Sequence, residues 1–172
     1  MPMNILQTKK QSGFTLLEVM ISLVIFSVGM LGLAGIQATS IQSNNIAYMR
    51  TIAMQSAYDM ADIIRASADF NNNVDSTFDN VTTTVGSEPT SCAQNGATLP
   101  NCTTAQMAAF EIYYWKTNLQ NSLPSGRGTV VRNGTTYTIT VMWDQARTGA
   151  TGENCSGNPA DDLKCYSLQT QI

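Results

Sequence analysis

Phe14 to Ile36 reads FTLLEVMISLVIFSVGMLGLAGI, and the architecture of the chain turns on it. A helix that crosses a bilayer needs about 20 consecutive apolar residues, and this run is long enough. From Val19 to Tyr48 there is no Asp, Glu, Lys or Arg. Lys9 and Lys10 precede the run, and no positive charge follows until Arg50. The positive-inside bias therefore predicts a cytoplasmic N-terminus, with the rest of the chain exported. One residue breaks the pattern. Glu18 sits one helical turn inside the run, about 6 Å deep at the helical rise. A carboxylate there costs very roughly 2–3 kcal/mol or less, being near the end of the span. Charges inside a membrane are characteristically paired and functional; the plainer reading is that Glu18 marks the water interface.

Beyond Ile36 the helical signal continues, because Gln37 to Ala68 contains neither Pro nor Gly. Ile46, Met49, Ala53, Ala57, Met60 and Ile64 recur at three and four residues, an amphipathic stripe. Tyr48, Arg50, Asp59, Asp62 and Arg65 interleave with it. The expectation is one helix from about Phe14 to Ala68, roughly 80 Å long, with a break near Asn44-Asn45 as the alternative.

The remaining residues suit a small domain. The chain has 172 residues, 43% of them apolar, with 9 basic and 12 acidic side chains and a net charge of -3. That balance offers no basic footprint for nucleic acid. There is no His, which removes every Ser-His or Cys-His pair and the commonest metal ligand. Glu88, Glu111 and Asp144 are scattered carboxylates and read as solvated surface, so no catalytic residue and no cofactor are expected. Cys92, Cys102, Cys155 and Cys165 form no Cys-x-x-Cys pair. Their spacing is far from zinc-knuckle spacing, and an even count in an exported domain reads as two disulfides. Four cysteines allow three connectivities. Proximity favours Cys92-Cys102 and Cys155-Cys165, each contributing roughly 2–3 kcal/mol if unstrained.

Residues 69–91, rich in Asn, Asp, Ser and Thr, read as a surface loop. Asp69, Asn71, Asn73 and Asp75 alternate like the start of a calcium loop. Val74 stands where the turn glycine belongs and Asn80 where the glutamate belongs, so no metal site is expected. Thr103 and Gln106 offer a capping box. Ala108, Ile112, Trp115, Leu119 and Leu123 then make an apolar helical face, with Trp115 as core, and Pro124 ends it. Thr129–Arg132 and Thr135–Trp143 flank Asn133-Gly134, a two-residue hairpin turn. Tyr137, Ile139, Val141 and Trp143 share one face, while Thr136, Thr138 and Thr140 share the other. Residues 145–162 form a Gly-rich polar loop, and a last strand is expected at about Leu163–Ile172.

Gly13-Phe14-Thr15-Leu16-Leu17-Glu18-Val19 resembles the processing motif of type IV prepilins. The resemblance implies that a prepilin peptidase cuts between Gly13 and Phe14 and N-methylates the new Phe14 amine. It also implies that Glu18 aligns an incoming subunit with the amine of a neighbour. The physics agrees with this. An α-amine of pKa about 7.7–8 is largely cationic near neutral pH, and a carboxylate at similar depth gains an opposite charge that sets register. Ser27-Val28-Gly29-Met30-Leu31-Gly32-Leu33-Ala34-Gly35-Ile36-Gln37 is similar to the segment of minor pilins of the PilV kind. Major pilins commonly carry a proline where this chain has Gly35. Gly29, Gly32 and Gly35 fit either close backbone packing in a filament or ordinary tolerance of glycine in membrane helices.

The implied fold is α+β, a pilin-like lollipop: a long N-terminal helix packed on a small antiparallel sheet with an extra helix. The implied organisation is a leader over 1–13, a transmembrane half over 14–36, an amphipathic half over 37–68 and a head over 69–172. The implied partners are prepilin peptidase, other minor pilins, the major pilin, the inner-membrane assembly platform and, before assembly, inner-membrane lipid. The implied location is the bacterial inner membrane, single-pass with a periplasmic head, and later the pilus fibre. The implied role is structural: initiating pilus assembly at or near the tip. The C-terminal cysteine pair resembles the disulfide-bounded region that many pilins use for subunit contacts. The alternatives are a type II secretion or DNA-uptake pseudopilin, and a tip adhesin contacting its target through loops 69–91 and 145–162. A secretory signal peptide cut after Gly32-Leu33-Ala34 is a rival for the N-terminus. The two readings leave different mature ends, Phe14 or Gly35.

Overall fold

The structure, a computed structural model, describes residues 13–68, 73–93 and 101–172. The fold is α+β. Helix α1 spans Leu16–Ala66, 51 residues without a break at Asn44-Asn45. A single 3-10 turn follows at Ser76–Phe78, then strand β1 at Asn80–Val81 and helix α2 at Thr104–Ser122. Strands β2 (Arg127–Asn133), β3 (Thr136–Trp143) and β4 (Lys164–Gln171) complete an antiparallel sheet of order β1-β2-β3-β4. The chain divides into two compact units, one ending at Asn44 and the other running Asn45–Ile172.

α1 is shorter than expected by two residues at each end. At its C-terminus Ala68 N–H bonds to Arg65 O at 3.3 Å, and Ser67 Oγ donates to Ile64 O at 2.7 Å. Such i→i−3 bonds tighten the last turn and satisfy carbonyls that the helix leaves open. α2 begins as its sequence indicates. Thr103 Oγ1 accepts from Gln106 N–H at 3.2 Å, and Gln106 Oε1 accepts from Thr103 N–H at 2.9 Å, a reciprocal capping box.

The core of the second unit lies where three apolar faces meet. α1 contributes Met49, Ala53, Ala57, Met60 and Ile64, all buried, with Ile46 packed alongside. α2 contributes Ala108, Ile112, Trp115 and Leu119, and Leu123 follows at its cap. The sheet contributes Val130, Tyr137, Ile139, Val141 and Trp143. The facing residues of β2, β3 and β4 fall in one register, Val130 opposite Ile139 and Ile139 opposite Leu168. Gly128 is required by this packing. A Cβ there would lie 2.2 Å from the Trp115 ring, so only glycine lets the indole settle onto β2.

Two expectations need correction. The hairpin loop is Gly134-Thr135, because Asn133 pairs with Thr136. Gly134 has φ +63°, while Thr135 is not among the positive-φ residues. That is the requirement of a II′ turn, with glycine at its first central position, whereas Asn-Gly at the centre would need positive φ at both. Moving the loop by one residue shifts each cross-strand partner by two, so the buried face is the same in both registers. Local bonds then favour the observed one. Arg132 stands opposite Tyr137 with its guanidinium carbon 5.4 Å from the ring centroid, and its Nε donates to Gly134 O at 2.8 Å.

The second correction concerns residues 69–91. Polar composition suggested surface, yet Val74, Phe78 and Val81 are buried, Phe78 completely. The turn that carries Phe78 is capped by Asp75, which accepts from Thr77 N–H at 2.9 Å. Thr104 Oγ1 on α2 also donates to Asp75, at 3.2 Å. The Thr77 hydroxyl first, then its backbone N–H, hold the Asp75 carboxyl below the usual carboxylate range. The sign follows from linkage. A depressed folded-state value means stability that is complete above the unfolded value of about 3.9 and lost as pH falls through the folded value. Asp75→Ala is expected to cost about 1 kcal/mol at pH 7, the ordinary worth of an N-cap. The gap to wild type should close as pH falls below that range. Denaturant melts of both proteins across the acid limb test this, and a gap that persists undiminished would show the carboxylate charge to be irrelevant.

Candidate functional site

The residues singled out at the N-terminus occupy one short stretch. Gly13, Phe14 and Thr15 lie outside the helix. Thr15 starts it: its Oγ1 accepts from Glu18 N–H at 3.3 Å, and its carbonyl accepts from Glu18 and Val19 N–H at 3.1 and 3.3 Å. Sequence reasoning passed over Thr15. The signal was present as Thr-x-x-Glu, the spacing at which a hydroxyl caps a helix. Glu18 thus falls in the first turn of α1, where a carboxylate complements the positive end of the helix dipole. It is exposed, and among the described residues no side chain pairs with its carboxylate. Phe14 is 83% exposed.

From Leu16 to Asn45 no side chain of α1 is buried. Leu16, Ile25, Leu31 and Ile36 are each more than two-thirds exposed. An apolar surface on every side of a helix calls for lipid or other helices around it. The hydroxyls in the run are compatible with that: Ser22 and Ser27 donate to the carbonyls of Glu18 and Leu23, each at 2.7 Å. Such back-bonding hides the donor inside the helix, as a medium without water demands. α1 is long and apolar enough to cross a membrane, its most apolar window having a mean hydropathy of 2.4. Among the described residues nothing lies within 4 Å of a Cβ built at Gly29, Gly32 or Gly35, so no contact among them requires glycine there.

The cysteines lie in the other unit. Cys92 bonds to Cys102 and Cys155 to Cys165. The second bridge ties the 145–162 loop to β4. That loop is further organised by two buried carboxylates. Asp144 accepts from Thr148 and Gly149 N–H at 3.2 and 2.8 Å, and Asp162 from Ser156 N–H at 3.3 Å. Asp144, expected to be solvated, is only 5% exposed. A short chain segment folded over a carboxylate satisfies it with backbone donors, and composition does not announce such a closure. Trp115 is core, as its helical spacing indicated. Its Nε1 donates to Ser56 O on α1 at 2.9 Å.

Of the calcium-like alternation, Asp69 and Asn71 lie outside the described residues. Asp75 serves the cap described above. Among the described residues no group of three His, Cys, Asp or Glu side chains could hold a metal ion.

Residues 8–34 match the family model of the prokaryotic N-terminal methylation motif. The motif is a type IV pilin-like prepilin leader, and the match supports the pilin family, prepilin processing and the partners that go with it. Together with the apolar helix it fits a pilin held in the inner membrane. Neither a curated protein nor a solved structure matches the chain.

Proposed function

We propose that this chain is a minor pilin of the PilV kind, a structural subunit that takes part in initiating type IV pilus assembly at or near the tip. The observation that carries the reading is Glu18. It is a carboxylate in the first turn of a helix whose first half is apolar on all sides, four residues beyond Gly13-Phe14. Cutting between Gly13 and Phe14 frees an amine close in sequence to that carboxylate. In an apolar medium each charge is costly alone, and a pair formed between neighbouring chains relieves both and sets their register.

On this reading residues 1–13 are the leader and Gly13 and Phe14 the processing site. The 14–36 segment is the span, 37–68 the amphipathic half, and 69–172 the periplasmic head. Prepilin peptidase is the first partner, followed by the assembly platform and the other pilins. Gly35, in place of the proline that is usual in major pilins, supports the minor-pilin assignment.

Mass spectrometry of the protein from membranes and from sheared fibres tests this. The expected mature chain begins at N-methylated Phe14. A chain beginning at Gly35 would mean signal-peptide cleavage, and the pilin reading would fail.

A further inference from the structure

The sheet has two edges, and only one of them is kept short. β1 closes one side with two residues, whereas β4 runs for eight and pairs with β3 alone. In an antiparallel pair, alternate residues turn their N–H and C=O groups towards the partner. Ile172 N–H donates to Thr135 O, and the register sets Thr170, Leu168 and Tyr166 opposite Tyr137, Ile139 and Val141. Stepping back by twos from Ile172, these three residues therefore bond to β3. The backbone groups of Ser167, Gln169 and Gln171 point out of the sheet. All three residues are exposed, and among the described residues no backbone bond reaches their outward groups. Cys165 is tied to Cys155, so the open run is 167–171. Such an edge is a template for another strand. Two usual protections are absent from it: β4 has no proline, and its register with β3 runs without a bulge.

Among the described residues, the unpaired charges beside this edge are of one sign. Lys164 is the only charged residue of β4, and it shares a face with Tyr166, two positions on. That face carries α1. Tyr166 feels both Tyr58 and Arg50 of the helix, and Thr170 Oγ1 accepts from Arg65 Nη2 at 2.7 Å. Arg65 is already paired with Asp62, while no ion pair among the described residues involves Arg50 or Lys164. Asp59 lies about two and a half turns beyond Arg50 and so faces the other side of the helix. In a chain of net charge -3, the edge thus holds two cations without acids. A second copy would present the same edge, which has no carboxylate to offer them. We propose that β4 is extended by a strand from another protein, an acidic segment whose backbone pairs with 167–171 and whose carboxylates meet Arg50 and Lys164. Main-chain bonds supply the affinity, and the charges supply the choice of partner. The proposal concerns the second unit and does not depend on how the N-terminus is processed.

The test uses the full isotope-labelled chain in detergent micelles. The probe is the blocked peptide acetyl-Glu-Val-Thr-Val-Glu-Thr-amide, whose glutamates share one face of a strand. Its counterpart has lysine in place of both glutamates. At saturating acidic peptide, amide exchange at Ser167, Gln169 and Gln171 is expected to slow by at least about tenfold. Exchange at Tyr166, Leu168 and Thr170, already bonded to β3, should change much less. That alternation is the mark of strand pairing, which a side-chain contact would not produce. Gln169→Pro removes one outward N–H and none that β3 uses, so it should abolish the protection with β3 and β4 still paired. Arg50→Gln should weaken the acidic peptide by about two- to fivefold, the worth of an exposed ion pair. Absent protection at the outward amides, or unchanged binding in a folded Pro variant, overturns the proposal. Equal binding of the lysine peptide overturns the acidic assignment. So does protection that rises with protein concentration without peptide, which would put a second copy on the edge. Should the Pro variant not fold, the wild-type alternation decides by itself.

Discussion

Glu18→Ala is expected to leave the chain in the membrane fraction while lowering its share in sheared fibres by at least about tenfold, or 1.4 kcal/mol. Insertion should survive because the substitution removes a charge from an apolar helix and so makes the span easier to bury. Incorporation should suffer because the freed Phe14 amine, largely cationic near neutral pH, then enters the filament without its counter-charge. Breaking a buried pair from one side typically costs more than the pair itself contributes, since the remaining ion stays desolvated. Among the described residues no side chain pairs with the Glu18 carboxylate, so on the proposed reading its partner is the amine of a neighbouring chain. Head stability should therefore be untouched. Glu18→Gln separates charge from shape: it should assemble as poorly as the alanine variant. Immunoblots of sheared fibres against whole membranes give the answer, and normal incorporation of both variants would remove the charge-pairing argument.

Trp115→Ala is expected to cost the second unit about 3–5 kcal/mol, the usual range for deleting a buried large aromatic. The indole is 5% exposed, lies against Gly128 and joins α2 to α1 through the bond from Nε1 to Ser56 O at 2.9 Å. Its removal opens a cavity between two helices and a strand and leaves the Ser56 carbonyl without that donor. Typical domain stabilities are about 5–15 kcal/mol, so a loss of this size decides whether the head persists. Denaturant unfolding followed by near-UV circular dichroism measures it. Far-UV signal from α1 should largely remain in detergent, because its apolar half does not depend on this contact. A loss under about 1 kcal/mol would show that the helix pair is held by something other than the indole.

Legibility followed the range of the interactions. The long helix, the stripe from Met49 to Ile64, the Thr103-Gln106 box and the alternation along β3 were readable because each depends on neighbours within a turn or along one strand. The leader motif, which the family model matches over residues 8–34, was readable for the same reason, since it is a pattern of residues close together in the chain. The hairpin was found but misplaced by one position, because two registers bury the same face and a single glycine φ chooses between them.

Phe78, Asp144 and Lys116 were misjudged or passed over for the opposite reason. Phe78 sits in a run of Asn, Asp and Thr and is buried because Asp75 caps its turn and α2 lies nearby. Asp144 is buried because the Thr148-Gly149 turn folds back over it with its backbone N–H groups. Lys116 is buried with its Nζ donating to Thr84 O, 32 residues away in the chain. Residue chemistry along the chain was enough to establish a helical spine with a charge near its start, since periodicity and polarity are local properties. Which polar groups are withdrawn from water was settled in three dimensions, since desolvation depends on segments that meet only after the backbone has closed on itself.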